Sequence, residues 1–219
     1  AFAIVFARDA AGEVREYQRV TNFETGEVAV RWKDDSGSHM RRAFVSRTDG
    51  VIAWSLEADE VKGTVRLVEQ GVKRCVTCVA IEIDGPWQVF RSRYTYRGGG
   101  YVGVVRVCEG EGRYGTDGKI TRTGKALVLA RVEVIEDYDK AEQVVQRLKD
   151  ELAAIEPDYN KLLVRHAVIH GEMFNRVSLE LDGLDGTIED LIAANGRGNI
   201  TPALLQKMFE MGRYALVSS

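Results

Sequence analysis

The residues with the clearest chemical potential in this sequence are two histidines four positions apart, His166 and His170, with Glu172 close by. On a helix that spacing puts both imidazoles on one face, where a zinc-like ion would find two ligands at once. A zinc-protease motif would need Glu at position 167, which is alanine, and no third ligand of the right type follows at helical spacing. The stripe they share, Leu162, Leu163, His166, Ile169, His170, Met173 and Phe174, is apolar. The expected role is therefore hydrogen bonding to backbone or carboxylate groups where two parts of the molecule meet.

Four other groupings have spacing that invites chemistry. Cys75-Val76-Thr77-Cys78 has the interval of a redox pair or half a zinc ribbon. A redox pair needs a helix N-terminus to lower the thiol pKa, and a ribbon needs a second pair. Here the flanks are β-branched and the only other cysteine is Cys108. Gly98-Gly99-Gly100-Tyr101-Val102-Gly103 and Gly110-Glu111-Gly112-Arg113-Tyr114-Gly115 both match the dinucleotide fingerprint. That fingerprint works by opening a helix toward a pyrophosphate, and neither stretch is followed by one, so both are read as turns and bulges. Phe90, Tyr94 and Tyr96 alternate with Arg91, Arg93 and Arg97 downstream of Trp87. This is either an aromatic platform for a sugar or single-stranded nucleic acid, or a strand with an aromatic core face and a solvated arginine face. Simple alternation favours the second. Glu133, Glu136, Asp137 and Asp139 sit where a strand hands over to a helix, where carboxylates favour the helix dipole. No Ser/His/Asp arrangement with local support is visible. No residue is expected to be catalytic, to bind a cofactor or to hold a metal.

The elements that would position these groups fall into two regimes. Up to about Ile135 the pattern is of strands. Val28, Val30 and Trp32 alternate with Ala29, Arg31 and Lys33, and Ile52, Trp54 and Leu56 repeat the pattern. Ala126, Val128, Ala130, Val132 and Val134 do so again. Turn residues such as Glu24-Thr25-Gly26-Glu27 and Asp34-Asp35-Ser36-Gly37 separate the runs. The pattern predicts a mainly β fold, an antiparallel β-sandwich followed by C-terminal helices. After Asp137 the period becomes helical: Ala141, Val144, Val145, Leu148, Leu152 and Ile155 form one stripe, which Pro157 ends. A second helix is predicted from about Tyr159 to Asn175. Thr187 with Asp190 caps a brief third, and Thr201-Pro202 starts a fourth that runs to about Val217. Three segments result: a sandwich over 1–136, a helical linker over 137–198, and a last helix over 199–219.

Bulk properties narrow the classes. The formal net charge of −3 is unlike the basic excess of a nucleic-acid binder. The longest apolar run, Ala126 to Ile135, is short and interrupted by Arg131 and Glu133, so no membrane span is predicted. Three cysteines make no disulfide framework, which leans toward a reducing, cytoplasmic compartment.

The stretch His170-Gly171-Glu172-Met173-Phe174-Asn175-Arg176-Val177-Ser178-Leu179-Glu180-Leu181 resembles a segment of glycoside hydrolase family 95, the inverting α-L-fucosidases and their relatives. Pro202 to Ser219 is similar to the first helix of that family's (α/α)6 barrel. Tyr17-Gln18-Arg19, Phe23 to Val30 and Arg41 to Ser46 resemble its sandwich strands. The resemblance implies the sandwich and linker of a six-hairpin glycosidase, with a carbohydrate substrate handled by a barrel that would lie beyond Ser219. The family's opening segment has no counterpart before Ala1. No catalytic residue of the family falls on a position of this chain. The implied function is a non-catalytic portion of an inverting glycoside hydrolase acting on α-L-fucosides or related glycosides, able to self-associate through its last helix. The rival expectations are a non-enzymatic carbohydrate-binding or scaffolding sandwich, and an unrelated sandwich adaptor.

Overall fold

A computed structural model describes residues 2–7, 12–69, 75–96, 98–108, 112–114, 119–182, 186–195 and 200–218. The strands are β1 (Phe2–Ala7), β2 (Arg15–Asn22), β3 (Glu27–Asp34), β4 (Gly37–Val45), β5 (Ile52–Glu69), β6 (Val76–Asp84), β7 (Trp87–Tyr94), β8 (Gly100–Val107), β9 (Gly112–Tyr114) and β10 (Lys119–Ile135). A 3-10 turn, Tyr138–Lys140, leads into the helices α1 (Ala141–Ala154), α2 (Tyr159–Phe174), α3 (Ile188–Ala194) and α4 (Pro202–Ser218). Strands first and helices last is the predicted order, and all described strand pairs are antiparallel.

The sandwich is one sheet folded over itself. Its strands run β2-β3-β4-β5-β10-β8-β7-β6, with β1 on the far half of β5 and β9 on the start of β10. β5 and β10, 18 and 17 residues long, pair across a bulge where Thr123 meets Glu60 and Gly124 meets Ala58, leaving Asp59 extra. A bulge bends the strand and increases its twist. Gly124, with φ +79°, takes a backbone conformation that side chains resist. Beyond the bulge, Val61, Val65 and Leu67 join Phe90, Val105, Val107, Ala126 and Val128 in one core. Gln88 of β7 fastens the closure: its Nε2 donates to Val65 O at 2.6 Å, and its Oε1 accepts from Leu67 N at 3.0 Å.

Because side chains alternate along a strand, β10 buries both faces. Ala126, Val128 and Ala130 line the sandwich interior, while Leu127 and Leu129 face a second core beneath the helices. There Phe44, Ala53, Val89, Val102 and Val104 meet Ala141, Val145, Leu148 and Leu152, one face of α1. The stripe expected to continue through Val132 and Val134 instead leaves the core, with those side chains 52% and 67% exposed. The ladder with β5 stops at Ala130, so the stripe outruns its covering layer.

Helix ends follow the residues that satisfy their backbone groups. Asp158 caps α2 by accepting from Asn160 N and Lys161 N. Thr187 accepts from Asp190 N at 3.1 Å, and Thr201 from Leu204 N at 3.3 Å, as their spacing predicts. At the C-terminal end of α1, Arg106 donates to Leu152 O at 2.7 Å and to Ala153 O and Ile155 O at longer range.

Candidate functional site

A densely connected polar site joins two sheet turns to α2 and α4. In the β2–β3 turn, Asn22 Oδ1 accepts from Glu24 N and Thr25 N, and Gly26 has φ +67°. This tight turn fits against the C-terminal half of α2. His170 Nε2 donates to Phe23 O at 2.9 Å, and Asn175 Nδ2 donates to Glu24 Oε1 at 2.8 Å. Gly171 leaves room for the turn: a Cβ there would stand 3.3 Å from Glu24 O. The β4–β5 turn contacts the same helix, with Arg47 N donating to His166 Nδ1 at 3.2 Å and Arg165 pairing with Asp49 at 2.8 Å. The rings follow one another in contact: Phe44 stacks on His166 at 5.3 Å, His166 is tilted against His170 at 5.1 Å, and His170 meets Tyr214 of α4 edge to face at 5.9 Å. Phe23 lies 5.1 Å from Tyr214.

Both imidazoles are 2% exposed. Burial, the neighbouring His170 ring and Arg47 hold His166 below the ordinary histidine value, against a raising hydrogen bond to the Thr25 backbone. Burial likewise lowers His170, opposed by its bond to Phe23 O. The ring nitrogens are thus committed to backbone groups at a junction, the role expected from the apolar stripe. Glu172 is exposed and pairs with Arg176 at 3.0 Å. Among the described residues, no three His, Cys, Asp or Glu side chains cluster so as to hold a metal.

The other candidates are scattered over the fold. Cys75 is exposed at the entrance to β6, Cys108 is buried, and the Cys78 side chain lies outside the described residues. In the second glycine stretch, Gly110, Glu111 and Gly115 lie outside them too. In the first, Gly100 and Gly103 belong to β8 itself, which corrects the expectation of turns and bulges. A Cβ at Gly100 would stand 2.0 Å from Ser92 O, and one at Gly103 would stand 2.1 Å from the Phe90 ring. These glycines are packing requirements. The arginine face of β7, expected to be solvated, is exposed at Arg93 but not at Arg91, and Arg97 lies outside the described residues. Arg91 is largely covered and pairs with Glu82 and with Glu142 of α1, and Arg93 stacks on Tyr138. Phe90 is buried in the sandwich, whereas Tyr96 lies past the strand and is exposed. Glu133 serves no helix dipole: both its oxygens accept from Arg147 at 2.6 Å. Asp137 does cap, accepting from Asp139 N.

Two polar clusters escaped the sequence reading. Asp34, Ser36 and His39 converge on one turn beside Trp32. Asp34 and Ser36 both reach the same nitrogen, His39 Nε2, at 2.9 and 3.1 Å. A triad needs the carboxylate on one ring nitrogen and the hydroxyl on the other, whereas these two contacts share one nitrogen. The second cluster links Glu27, Arg42, Glu57, Lys125 and Tyr159 across the sheet and α2. Burial and the hydrogen bond to Glu27 push the Tyr159 phenol up, so it stays a proton donor. Its partners are 15 to 132 residues apart, and no local motif announces them. An open groove of about 1950 Å³ runs between β2–β4 and α3–α4, lined by Tyr17, Val20, Met40, Phe174, Lys207 and Met211 among others.

The described geometry defines a folded-over antiparallel sandwich with helices on one face. No family model matches the chain, and no curated protein is similar to it in sequence. Among solved structures, one from human microbiome assigned as a kojibiose phosphorylase superposes with a TM-score of 0.63 at 8% identity. The match covers 99% of this chain and 31% of the other, so this chain spans about a third of that structure's length. At that identity the likeness establishes the fold. It does not single out family 95, the finer reading drawn from the sequence.

Proposed function

We propose that this chain is a non-catalytic sandwich-and-helix portion of a carbohydrate-active enzyme, with the reaction carried by residues outside it. The carrying observation is the match in which nearly the whole chain, helices included, superposes on about a third of a much larger glycoside-processing chain. In this reading the sandwich occupies 1–136, the helical linker 137–198, and 199–219 is the first helix of a barrel. The candidate groups within the chain support a passive role: Glu133 and Glu142 are each tied to an arginine, and Glu57, though it lines the open groove, is tied to Lys125 and Arg42. The finer proposal is inverting hydrolysis of α-L-fucosides, supported by the resemblance of residues 170–181 and 202–219 to family 95. Such an enzyme protonates the leaving oxygen with one carboxylic acid while a second carboxylate activates water on the opposite face.

The test assays the 219-residue chain and any longer natural protein containing it. Substrates are nitrophenyl α-L-fucoside without phosphate, and kojibiose with and without phosphate. Turnover is expected from the longer protein only. Turnover by the chain itself, abolished by changing one of its own residues, would overturn the passive role. Phosphate-dependent cleavage of kojibiose by the longer protein would keep the class and replace the fucoside reading. A second reading, a carbohydrate-binding module, draws on the open groove with Tyr17 exposed at its rim. Titration of the chain with oligosaccharides, giving saturable binding lost in Tyr17→Ala, would favour it.

A further inference from the structure

We propose that His166 and His170, with the turns Phe23–Gly26 and Ser46–Gly50, form an acid-released latch that holds α2 and α4 on the sheet. The inference is independent of the enzymatic reading and rests on the polarity of the hydrogen bonds. An amide N–H can only donate, so His166 Nδ1, which accepts from Arg47 N, carries a lone pair. His166 also bonds the Thr25 backbone, and His170 Nε2 donates to Phe23 O. His166 is therefore seated as a neutral imidazole, and burial favours the neutral form of His170. A proton arriving on His166 must take Nδ1, which turns the acceptor into a donor facing the Arg47 N–H. A second proton on His170 would place two positive rings 5.1 Å apart in a buried site.

The surrounding charges relieve this only in small part. From the β4–β5 turn come Arg47, which opposes protonation, and Asp49, which favours it less and is already bound by Ser46 Oγ and Arg165. From the β2–β3 turn come Glu24, bound to Asn175, and Glu27, bound to Arg42 and Tyr159. α4 contributes Arg213, stacked on Phe174, and Tyr214. α2 itself adds Arg165 and the Glu172–Arg176 pair. Both histidines bind protons less well when docked, so the undocked state holds more protons at mild acidity. Docking is then full above the ordinary histidine pKa of about 6.5 and weakens as pH falls below it, by up to about tenfold per pH unit for each ring. α1 contains no histidine and is tied down by arginine–carboxylate pairs, so it serves as the internal control.

Amide exchange of the full chain, corrected for the intrinsic pH dependence of exchange, reads the latch between pH 7.5 and 5. Protection in α2 and α4 is expected to fall by at least about tenfold across that range, while protection in α1 holds. In H166Q/H170Q the response should vanish. If that double variant does not fold, H166Q alone suffices: the glutamine carbonyl can still accept from Arg47 N, and the response should drop to a one-proton slope. In parallel, NMR titration of the wild-type imidazoles should place His166 and His170 below about 6.5. Equal protection of α2 and α1 at every pH, a response that survives in the variants, or wild-type midpoints at or above that value would each overturn the latch.

Discussion

The two helix–sheet junctions use opposite chemistry. α1 presses four aliphatic side chains into a sealed core and surrounds them with ion pairs: Arg91 to Glu142, Arg147 to Glu133 and Arg131 to Glu151. α2 adds Tyr159 and Leu162 to that core from its N-terminal half, whereas its C-terminal half and α4 meet the sheet through aromatic rings, neutral imidazoles and bonds to turn backbones, and α4 has no fully buried residue. Apolar burial is nearly indifferent to pH, whereas an imidazole seated as an acceptor depends on staying uncharged. One junction is therefore built for permanence and the other for conditional attachment.

The sharpest way to break this contrast is Leu148→Ala, which empties a fully buried site under α1. A loss of about 2–5 kcal/mol, seen as a lower urea midpoint for sheet and helices together, is expected. A cost below about 1 kcal/mol would show α1 to be as loosely held as α2. Next comes Gly26→Ala, which forces φ +67° on a side-chain-bearing residue and brings its Cβ to 3.0 Å from His166 Nε2. The expected cost is about 1–3 kcal/mol, confined to α2 and α4 in amide exchange and sparing α1. If α1 loses protection equally, the junctions are one cooperative unit.

Smaller effects separate packing from charge. Shortening the chain after Asn195 removes α4 and its ring contacts with Phe23 and His170, at about 1 kcal/mol. Hydrophobic-dye binding and self-association should fall at the same time, because Leu205, Met208 and Met211 are exposed on that helix. A large stability loss without any change in dye binding would make α4 integral to the core. The smallest change is expected from Arg147→Ala, whose pairs lie near solvent: within about 1 kcal/mol in a thermal melt, shrinking further in salt.

What was legible in the sequence was whatever depends on near neighbours. The caps at Thr187 and Thr201, the stripe of α1 and the histidines at a junction all follow from residues within a few positions of one another. What stayed hidden depends on distant partners. Gln88 reads as an ordinary polar residue until Val65 and Leu67 arrive beside it. Arg91 reads as a solvated arginine until α1 delivers Glu142. Gly103 resembles a nucleotide-loop glycine, yet its smallness answers to the ring of Phe90. Strand alternation likewise marks which residues share a face and says nothing of how far a second layer extends over it. That is why Val132 and Val134 were misjudged.

The position of β10 has a consequence for how the chain acquires its shape. Among the described strands, β2–β5 form one meander, with β1 on the far half of β5, and β6–β8 form another; only β10 is hydrogen-bonded to both. It is also the last strand in the sequence. Until Lys119–Ile135 leaves the ribosome, the earlier halves have no shared ladder, and each exposes a long unpaired edge to other chains. Closing β5 against β10 joins residues some tens of positions apart, which makes this step slow relative to hairpin formation. A nascent chain stalled before Lys119 should therefore offer those edges to chaperones or aggregation, emergence of β10 should remove them, and emergence of α1 should then cover the remaining apolar face.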